Sequence, residues 1–387
     1  MKKIKVLMIV LNNVIYDPRV IREAQSLQNA NFQLEILGIK QKKNDRNRFY
    51  INDIKIRLVK ILTKEILPKN TLGWLVKYVE LCIRLNIKLL FNNFQIVHAH
   101  NLDALFPIFF QSKLFRKKII YDSHELFTEM AGKNNNIVNK SWASIEKFLI
   151  NKVDLVFSAN ESRADIMFKE YRAKKRPMSL LNIPARFIGQ NFKEKFISKD
   201  FLPNDERKIV LYQGMINEYR NIENLIMSSE YFNHDLVLVL IGKFSSNKYR
   251  DKIERLIKSG FNNNVVILDS VPQLELVSIT QKAHIGIVIY DNCSKNNYLC
   301  APNKLYEYAS VGIPVAGSDF PEIRNVLTKY QIGELFSENT PNLIASSINK
   351  INQNYQRYSK EFQFAALFSD HNWKLEENKL LDCYNKL

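Results

Sequence analysis

Glycine is scarce in this chain. It accounts for 11 of 387 residues, against a usual share of about 7%, so the glycines that remain are expected where no other residue fits the backbone. The loop after the first apolar run carries Asn12-Asn13 where dinucleotide binders carry G-x-G-x-x-G, which argues against a nicotinamide enzyme. Cysteine is scarce too: Cys82, Cys293, Cys300 and Cys383 form no C-x-x-C pair. That argues against a disulfide framework and a structural zinc site, and fits a reducing compartment. No apolar run approaches a membrane span, so any membrane contact is expected to be peripheral. The apolar start, MKKIKVLMIVLNNV, is short and lacks a small-residue cleavage site; it reads as a strand. Finally, acidic residues are under-represented in one half only. Residues 1–190 hold 33 Lys and Arg against 16 Asp and Glu, and residues 191–387 hold 23 of each. All of the net charge of +17 therefore lies in the first half, which points to an anionic partner there or to a solvated basic surface.

What is present is an alternation of apolar strands and amphipathic helices. Residues 4–11 predict a buried strand, Asp17-Pro18 a helix cap, residues 18–29 a helix and residues 33–39 the next strand. Residues 50–62 alternate as one extended strand. Residues 71–91 predict a basic helix with Trp74, suited either to a membrane surface or to covering a sheet; packing is the preferred reading. Two strands then end in polar residues, FQIVHAH before NLDAL and KIIYDS before His124-Glu125. Ligands of open parallel sheets bind beyond the carboxyl ends of strands, which makes His100, Asp103, His124 and Glu125 candidates. Three of six histidines, His98, His100 and His124, fall there. No H-x-x-x-H or carboxylate cluster accompanies them in sequence, so no metal is expected. The pattern dissolves over residues 183–207 and then restarts with apolar runs at 208–213, 236–241, 265–268, 285–290 and 313–317. Two doubly wound α/β domains follow, with Gly214 and Gly242 at strand ends.

The densest stretch is NYLCAPNKLYEYASVGIPVAGSDFPEIRNV, residues 297–326. Pro302 suits a helix start, and Gly312 with Pro314 suits its end. Lys304 and Glu307 stand three apart on neighbouring helix positions. A cation and a carboxylate beside free helix-terminal N–H groups can hold a phosphate and a sugar hydroxyl together. The plain alternative is an intrahelical ion pair.

This stretch, with YDPRVIREAQSL, HAHNLDAL, YDSHELF and YQGMINEYRNIENLI, resembles the retaining glycosyltransferases of family 4. The resemblance implies the GT-B fold, two doubly wound Rossmann-like domains facing across a cleft. It also implies an acceptor domain over residues 1–185, a linker at 186–207, a nucleotide-sugar domain at 208–368, and a helix at 369–387 packing across both. The matching positions assign ribose binding to Glu307, donor phosphates to the N–H groups of Asn303 and Lys304, and the leaving diphosphate to Arg220, with Lys304 as a second cation. Gly214, Gly242, Tyr298 and Pro302 complete the expected donor side. His124 would lie against the donor sugar, with Arg19, His100, Asp103 and Glu125 towards the acceptor. No cofactor or divalent metal is implied. Leu299 stands where the family has the first glutamate of E-x7-E, and Met215 and Asn221 thin out the basic pair.

The expected activity is transfer of a hexosyl-type sugar from a nucleoside diphosphate sugar to a cell-envelope polysaccharide or lipid-linked acceptor, in the cytoplasm at the inner face of the plasma membrane. The basic half fits an anionic lipid surface; without a reader motif, nucleic acid is not an expected partner. The alternatives are an epimerase or hydrolase on the same fold, and a non-catalytic sugar-nucleotide-binding assembly protein.

Overall fold

Continuous apolar runs become the inner strands of two sheets, because a strand covered by helices on both faces has no solvent side to keep polar. The computed structural model describes residues 3–12, 14–41, 44–68, 70–130, 132, 137–185 and 206–387. They divide into two compact units: residues 1–182 with 374–387, and residues 183–373. Most of the expected linker, residues 186–205, lies outside the described residues, as does Asn13.

The first unit holds β1 (Lys5–Val10), β2 (Gln33–Ile39), β3 (Arg48–Ile51), β4 (Ile54–Val59), β5 (Ile96–His100), β6 (Lys118–Ser123), β7 (Leu155–Ser158) and β8 (Met178–Ser179). Their order is β3-β4-β2-β1-β5-β6-β7-β8, and only β3 runs antiparallel to its neighbour. Where one strand was expected over residues 50–62 there is a hairpin. Asn52 and Asp53 both have positive φ, 47° and 63°, a conformation these two residues tolerate and tight hairpins require. The strand order reverses between β1 and β5, which makes their carboxyl ends the ligand-binding edge of this sheet.

Helix Pro18–Asn29 starts as its sequence implies, with the Asp17 carboxylate accepting the Val20 N–H and Pro18 in the first turn. The final helix, Trp373–Asn385, belongs to the first unit rather than to the end of the second. Its Leu380 and Tyr384 enter the same core as Val6, Met8, Ile36 and Phe157, and Glu376 accepts the Leu181 N–H at 3.0 Å. Helix Thr71–Leu90 fulfils the packing expectation on one face only. Leu81, Leu85 and Leu89 are buried, whereas Leu72, Leu75, Val79, Ile83, Ile87 and Leu90 are exposed.

The second unit repeats the winding with β9 (Lys208–Gln213), β10 (Leu236–Ile241), β11 (Val265–Leu268), β12 (Ile285–Val288), β13 (Val315–Ser318) and β14 (Gly333–Phe336). All are parallel, in the order β11-β10-β9-β12-β13-β14, and the reversal falls between β9 and β12. Among the described residues, no helix is long and apolar enough to cross a membrane.

Candidate active site

At the reversal point of the second sheet, β9 runs into Gly214, whose φ of +122° disfavours any side chain. A Cβ there would also stand 3.4 Å from Lys304 Nζ. Gly242, expected to admit a ligand, has a different reason to be glycine: its Cβ would fall 1.7 Å from the Gly214 carbonyl oxygen. Strand ends, rather than a ligand, crowd it.

Lys304 arrives from helix Asn303–Ser310, which Pro302 caps without a side-chain acceptor. This leaves the first N–H groups of the helix, those of Asn303 and Lys304, in the orientation that favours an anion. The Lys304 side chain is buried, and Nζ has no hydrogen-bond partner among the described residues. It lies 3.9 Å from the centre of the Tyr212 ring and 5.4 Å from that of Tyr290. The other side of this cationic pair is Arg220, its guanidinium carbon 3.9 Å from the Tyr290 ring centre. Burial first, and then repulsion from Arg220, pushes the Lys304 ammonium well below the ordinary lysine range. A bound anion would reverse both causes.

Arg220 ends a short 3-10 turn, Glu218–Arg220, capped by Asn217. Asn297 ties this turn to the loop after β12, donating from Nδ2 to the carbonyls of Tyr219 (3.4 Å) and Asp291 (3.0 Å). Glu307, one helical turn after Lys304, accepts the Gln213 side-chain amide at 2.6 Å, and Thr280 donates to the other end of that amide at 2.8 Å. Thr280 and Gln213 thus aim the Glu307 carboxylate. Sequence reading missed both; the only available signal for Gln213 was a polar residue ending an apolar strand before a glycine. Tyr298 lies nearby in sequence, half exposed, its ring 5.2 Å from that of Phe320. Met215 is half exposed, and Leu299 is partly buried.

The first unit gathers a second group of polar side chains, on the carboxyl ends of β5 and β6. Parallel register sets His100 opposite Asp122, and the two-residue period puts His98 with His100, and Asp122 with His124, on one face. Arg19 Nη2 donates to Asp122 Oδ1 at 2.8 Å and Nε to Oδ2 at 3.0 Å. Arg19 Nε is also 2.9 Å from Glu23 Oε1. His124 Nε2 lies 2.9 Å from Asp122 Oδ2, and His100 Nδ1 is 3.2 Å from the same oxygen. His98 Nδ1 meets the Tyr384 hydroxyl at 2.8 Å.

Asp122 is therefore the hub, a role sequence reading did not assign. Two site expectations change accordingly. Arg19 and His100, placed towards an acceptor, are buried: Arg19 donates to Asp122 and, through Nη1, to the Leu180 carbonyl at 2.6 Å, and His100 meets Asp122 through Nδ1; His124 is the more open member, its side chain 15% exposed. The Asp103 carbonyl accepts the Tyr78 hydroxyl, and the Glu125 carbonyl accepts the Ser123 hydroxyl.

The electrostatics follow from burial. It pushes the Asp122 carboxyl up, but Arg19 and then His124 outweigh it and hold the group well below its usual range. Glu23, buried beside Asp122, is pushed well above its own. Burial lowers both His98 and His100, so both stay neutral at pH 7. The argument that no carboxylates accompany the histidines holds in sequence but not in space. Glu23, His98, His100 and Asp122 bring possible ligand atoms within 4.8 Å of one another, although the Arg19 guanidinium already faces both carboxylates.

Residues 193–364 match the family described as glycosyl transferases group 1, a span that includes Gly214, Arg220, Lys304 and Glu307. No curated protein matches the chain. Among solved structures, sucrose-phosphate synthase from Thermosynechococcus elongatus is similar at TM-score 0.76 and 15% identity, over 99% of both chains. HepE from Anabaena, in complex with UDP and glucose, is similar at TM-score 0.77 and 12% identity, over 99% of this chain and 100% of that one. A glycosyltransferase from Rickettsia africae gives 0.72 and 14%, over 100% of this chain and 99% of that one. At such identities the likeness is one of fold, and it spans both units. The chain therefore has the GT-B fold, and its residues 193–364 match the group 1 glycosyl transferases.

Proposed function

We propose that the protein is a retaining glycosyltransferase that takes a hexosyl group from a nucleoside diphosphate sugar and transfers it to a cell-envelope polysaccharide or lipid-linked acceptor. The observation that carries this reading is the buried Lys304 ammonium, without a hydrogen-bond partner among the described residues, at the reversal point of the second sheet beside Arg220 and the start of helix Asn303–Ser310. A diphosphate supplies the missing acceptor oxygens, and Glu307, held by Gln213, accepts the ribose hydroxyls. In the reaction the bond from the sugar carbon to the diphosphate breaks, the acceptor oxygen bonds to that carbon, and the acceptor proton passes to the diphosphate. Arg220 and Lys304 stabilise the charge that grows on the leaving oxygen, so no divalent metal is required. Within the first unit, Asp122 sets the orientation of the His124 ring.

The first donor to test is UDP-glucose, since HepE is described with UDP and glucose. The four cysteines are free, which agrees with work in the cytoplasm, where a lipid-linked acceptor would be met at the inner membrane face. The test is a panel of nucleoside diphosphates and their sugars, read by calorimetry and then by transfer with chelator present. Binding followed by acceptor-dependent transfer with retained anomeric configuration is the expected result. Failure of every nucleoside diphosphate to bind would overturn it. Leu299, in place of a donor-sugar carboxylate, favours a second reading, a binding protein without turnover; donor binding with no transfer over a broad acceptor panel would select it. Acceptor-independent turnover would select the epimerase or hydrolase.

A further inference from the structure

Helices Thr71–Leu90, Leu102–Leu114 and Ile137–Leu149 lie on one side of the first sheet. They connect β4 to β5, β5 to β6 and β6 to β7, all stepping the same way across it, and right-handed crossovers then share a face. Ring contacts join them: Tyr78 to Phe106 at 6.4 Å, Tyr78 to Trp142 at 5.7 Å and Phe109 to Phe148 at 6.4 Å.

The outside of this layer is apolar. Leu72, Leu75, Val79, Ile83, Ile87 and Leu90 follow the three-and-four spacing of one helix face, and all are exposed, Leu72 by 70% and Ile83 by 56%. Phe110, Leu114 and Phe115 continue the surface on the next helix, with Ile137 and Val138 on the third. Phe91 and Phe115 line a common groove with Lys117, so the ends of the first two helices are contiguous. Of the 29 exposed large apolar residues described, 15 fall between residues 71 and 148. Scattered apolar residues on a surface need no partner, but a continuous face does.

Charge selects the partner. Residues 71–152 contain 11 Lys and Arg against 6 Asp and Glu, and two of those acids, Asp122 and Glu146, are fully buried. The single acid of the first helix, Glu80, is committed to Arg84 at 2.5 Å and to the Leu62 and Thr63 N–H groups. Lys77, Arg84 and Lys88 run along that helix, and Lys113, Arg116 and Lys117 surround Leu114 and Phe115. Trp74, half exposed and stacked on Tyr78 at 5.2 Å, is the residue type that settles at the boundary between headgroups and acyl chains.

We propose that the outer face of helix Thr71–Leu90, continued by the end of helix Leu102–Leu114, is a docking surface for an anionic lipid bilayer. Apolar side chains enter the headgroup boundary and the flanking lysines and arginines meet the lipid phosphates. This deepens the lipid-linked acceptor reading without depending on donor chemistry, because binding to vesicles is measured with neither donor nor acceptor present.

The experiment is sedimentation of the full chain with phosphatidylcholine vesicles containing about 30% phosphatidylglycerol, over salt from about 0.05 to 0.5 M. Binding is expected at low salt, with a blue shift of tryptophan emission, and it should weaken steeply as salt rises. I83E/I87E should lower partitioning by roughly a hundredfold, while F362E, an exposed site in the second unit, should change nothing. R116E/K117E should flatten the salt dependence. Because Ile83, Ile87 and Arg116 are exposed and Lys117 is partly so, melting temperature and nucleotide affinity should stay at wild-type values, which separates loss of docking from loss of fold or of donor binding. Absent binding at low salt, or wild-type binding by I83E/I87E, would overturn the proposal. So would a concentration-dependent dimer that I83E/I87E abolishes in a protein that ignores vesicles, since the face would then belong to a second copy.

Discussion

Replacing Lys304 with methionine should separate stability from function in opposite directions. The wild-type ammonium is buried, without a hydrogen-bond partner among the described residues, and near Arg220. Its compensation in the unliganded protein is the attraction of Glu307 together with the Tyr212 ring at 3.9 Å, the ring being worth about 2 kcal/mol for a desolvated cation. Methionine is also unbranched and one heavy atom shorter, offers a sulfur contact to the ring worth about 0.3–1.5 kcal/mol, and removes the desolvation cost. Replacing buried charge by apolar volume is neutral or stabilising by about 1–4 kcal/mol. The unliganded variant should therefore melt at the wild-type temperature or a few degrees above it, at about 2–4 °C per kcal/mol for a unit of this size.

Nucleoside diphosphate binding should move the other way. Loss of a charge-assisted hydrogen bond costs about 1.5–3 kcal/mol, or roughly 10- to 150-fold in affinity. Titration calorimetry in buffers of different ionisation enthalpy adds a third readout. A diphosphate raises the depressed pKa of Lys304, so wherever the free side chain is partly neutral, wild-type binding takes up a proton and the variant's does not. A variant that melts several degrees lower yet binds nucleoside diphosphate with wild-type affinity would refute the reasoning and make Lys304 a structural residue.

Other outcomes follow from the same geometry. Glu307→Ala should weaken nucleoside diphosphate binding by roughly 10- to 100-fold, as one charge-assisted contact implies, while Gln213→Ala, which only frees the carboxylate to reorient, should cost less; calorimetry ranks the two. Arg220→Ala should lower turnover by about 100- to 1000-fold with little change in melting temperature, because its guanidinium packs on the Tyr290 face and not in the core; unchanged turnover removes it from the clamp. Stability should fall as pH drops below about 6.5, the ordinary histidine value. His98 and His100 are held neutral by burial, so the unfolded chain binds more protons there, at up to about 1.4 kcal/mol per pH unit for each histidine. Glu23, raised by burial, works against this above about pH 4.5, since its contribution is lost as pH rises; the two histidines outnumber it. Urea midpoints that stay flat between pH 7.5 and 5.5 would contradict these assignments.

Much of the winding was legible because parallel strands buried on both sides must be apolar throughout, and residues 4–11, 208–213 and 236–241 advertise this directly. Local chemistry was legible too: Asp17-Pro18 starts a helix wherever it stands, and Lys304 and Glu307 are neighbours on any helix that contains both. The sequence by itself also set the uneven distribution of charge, which no folding alters.

Tertiary structure decided what depends on register and on distant partners. Asp122 became the hub of the first unit because β5 and β6 pair His100 with it and helix Pro18–Asn29 delivers Arg19 from 103 residues away. The need for glycine at position 242 came from the carbonyl of Gly214. The last helix entered the first core because Leu380 and Tyr384 find their apolar partners there. Most plainly, helix Thr71–Leu90 is apolar nearly all round, and its sequence does not say which stripe is covered. Only tertiary packing, which sets this helix against helix Leu102–Leu114 and buries Leu81, Leu85 and Leu89, determined that the other stripe, through Ile83, is left to face outward.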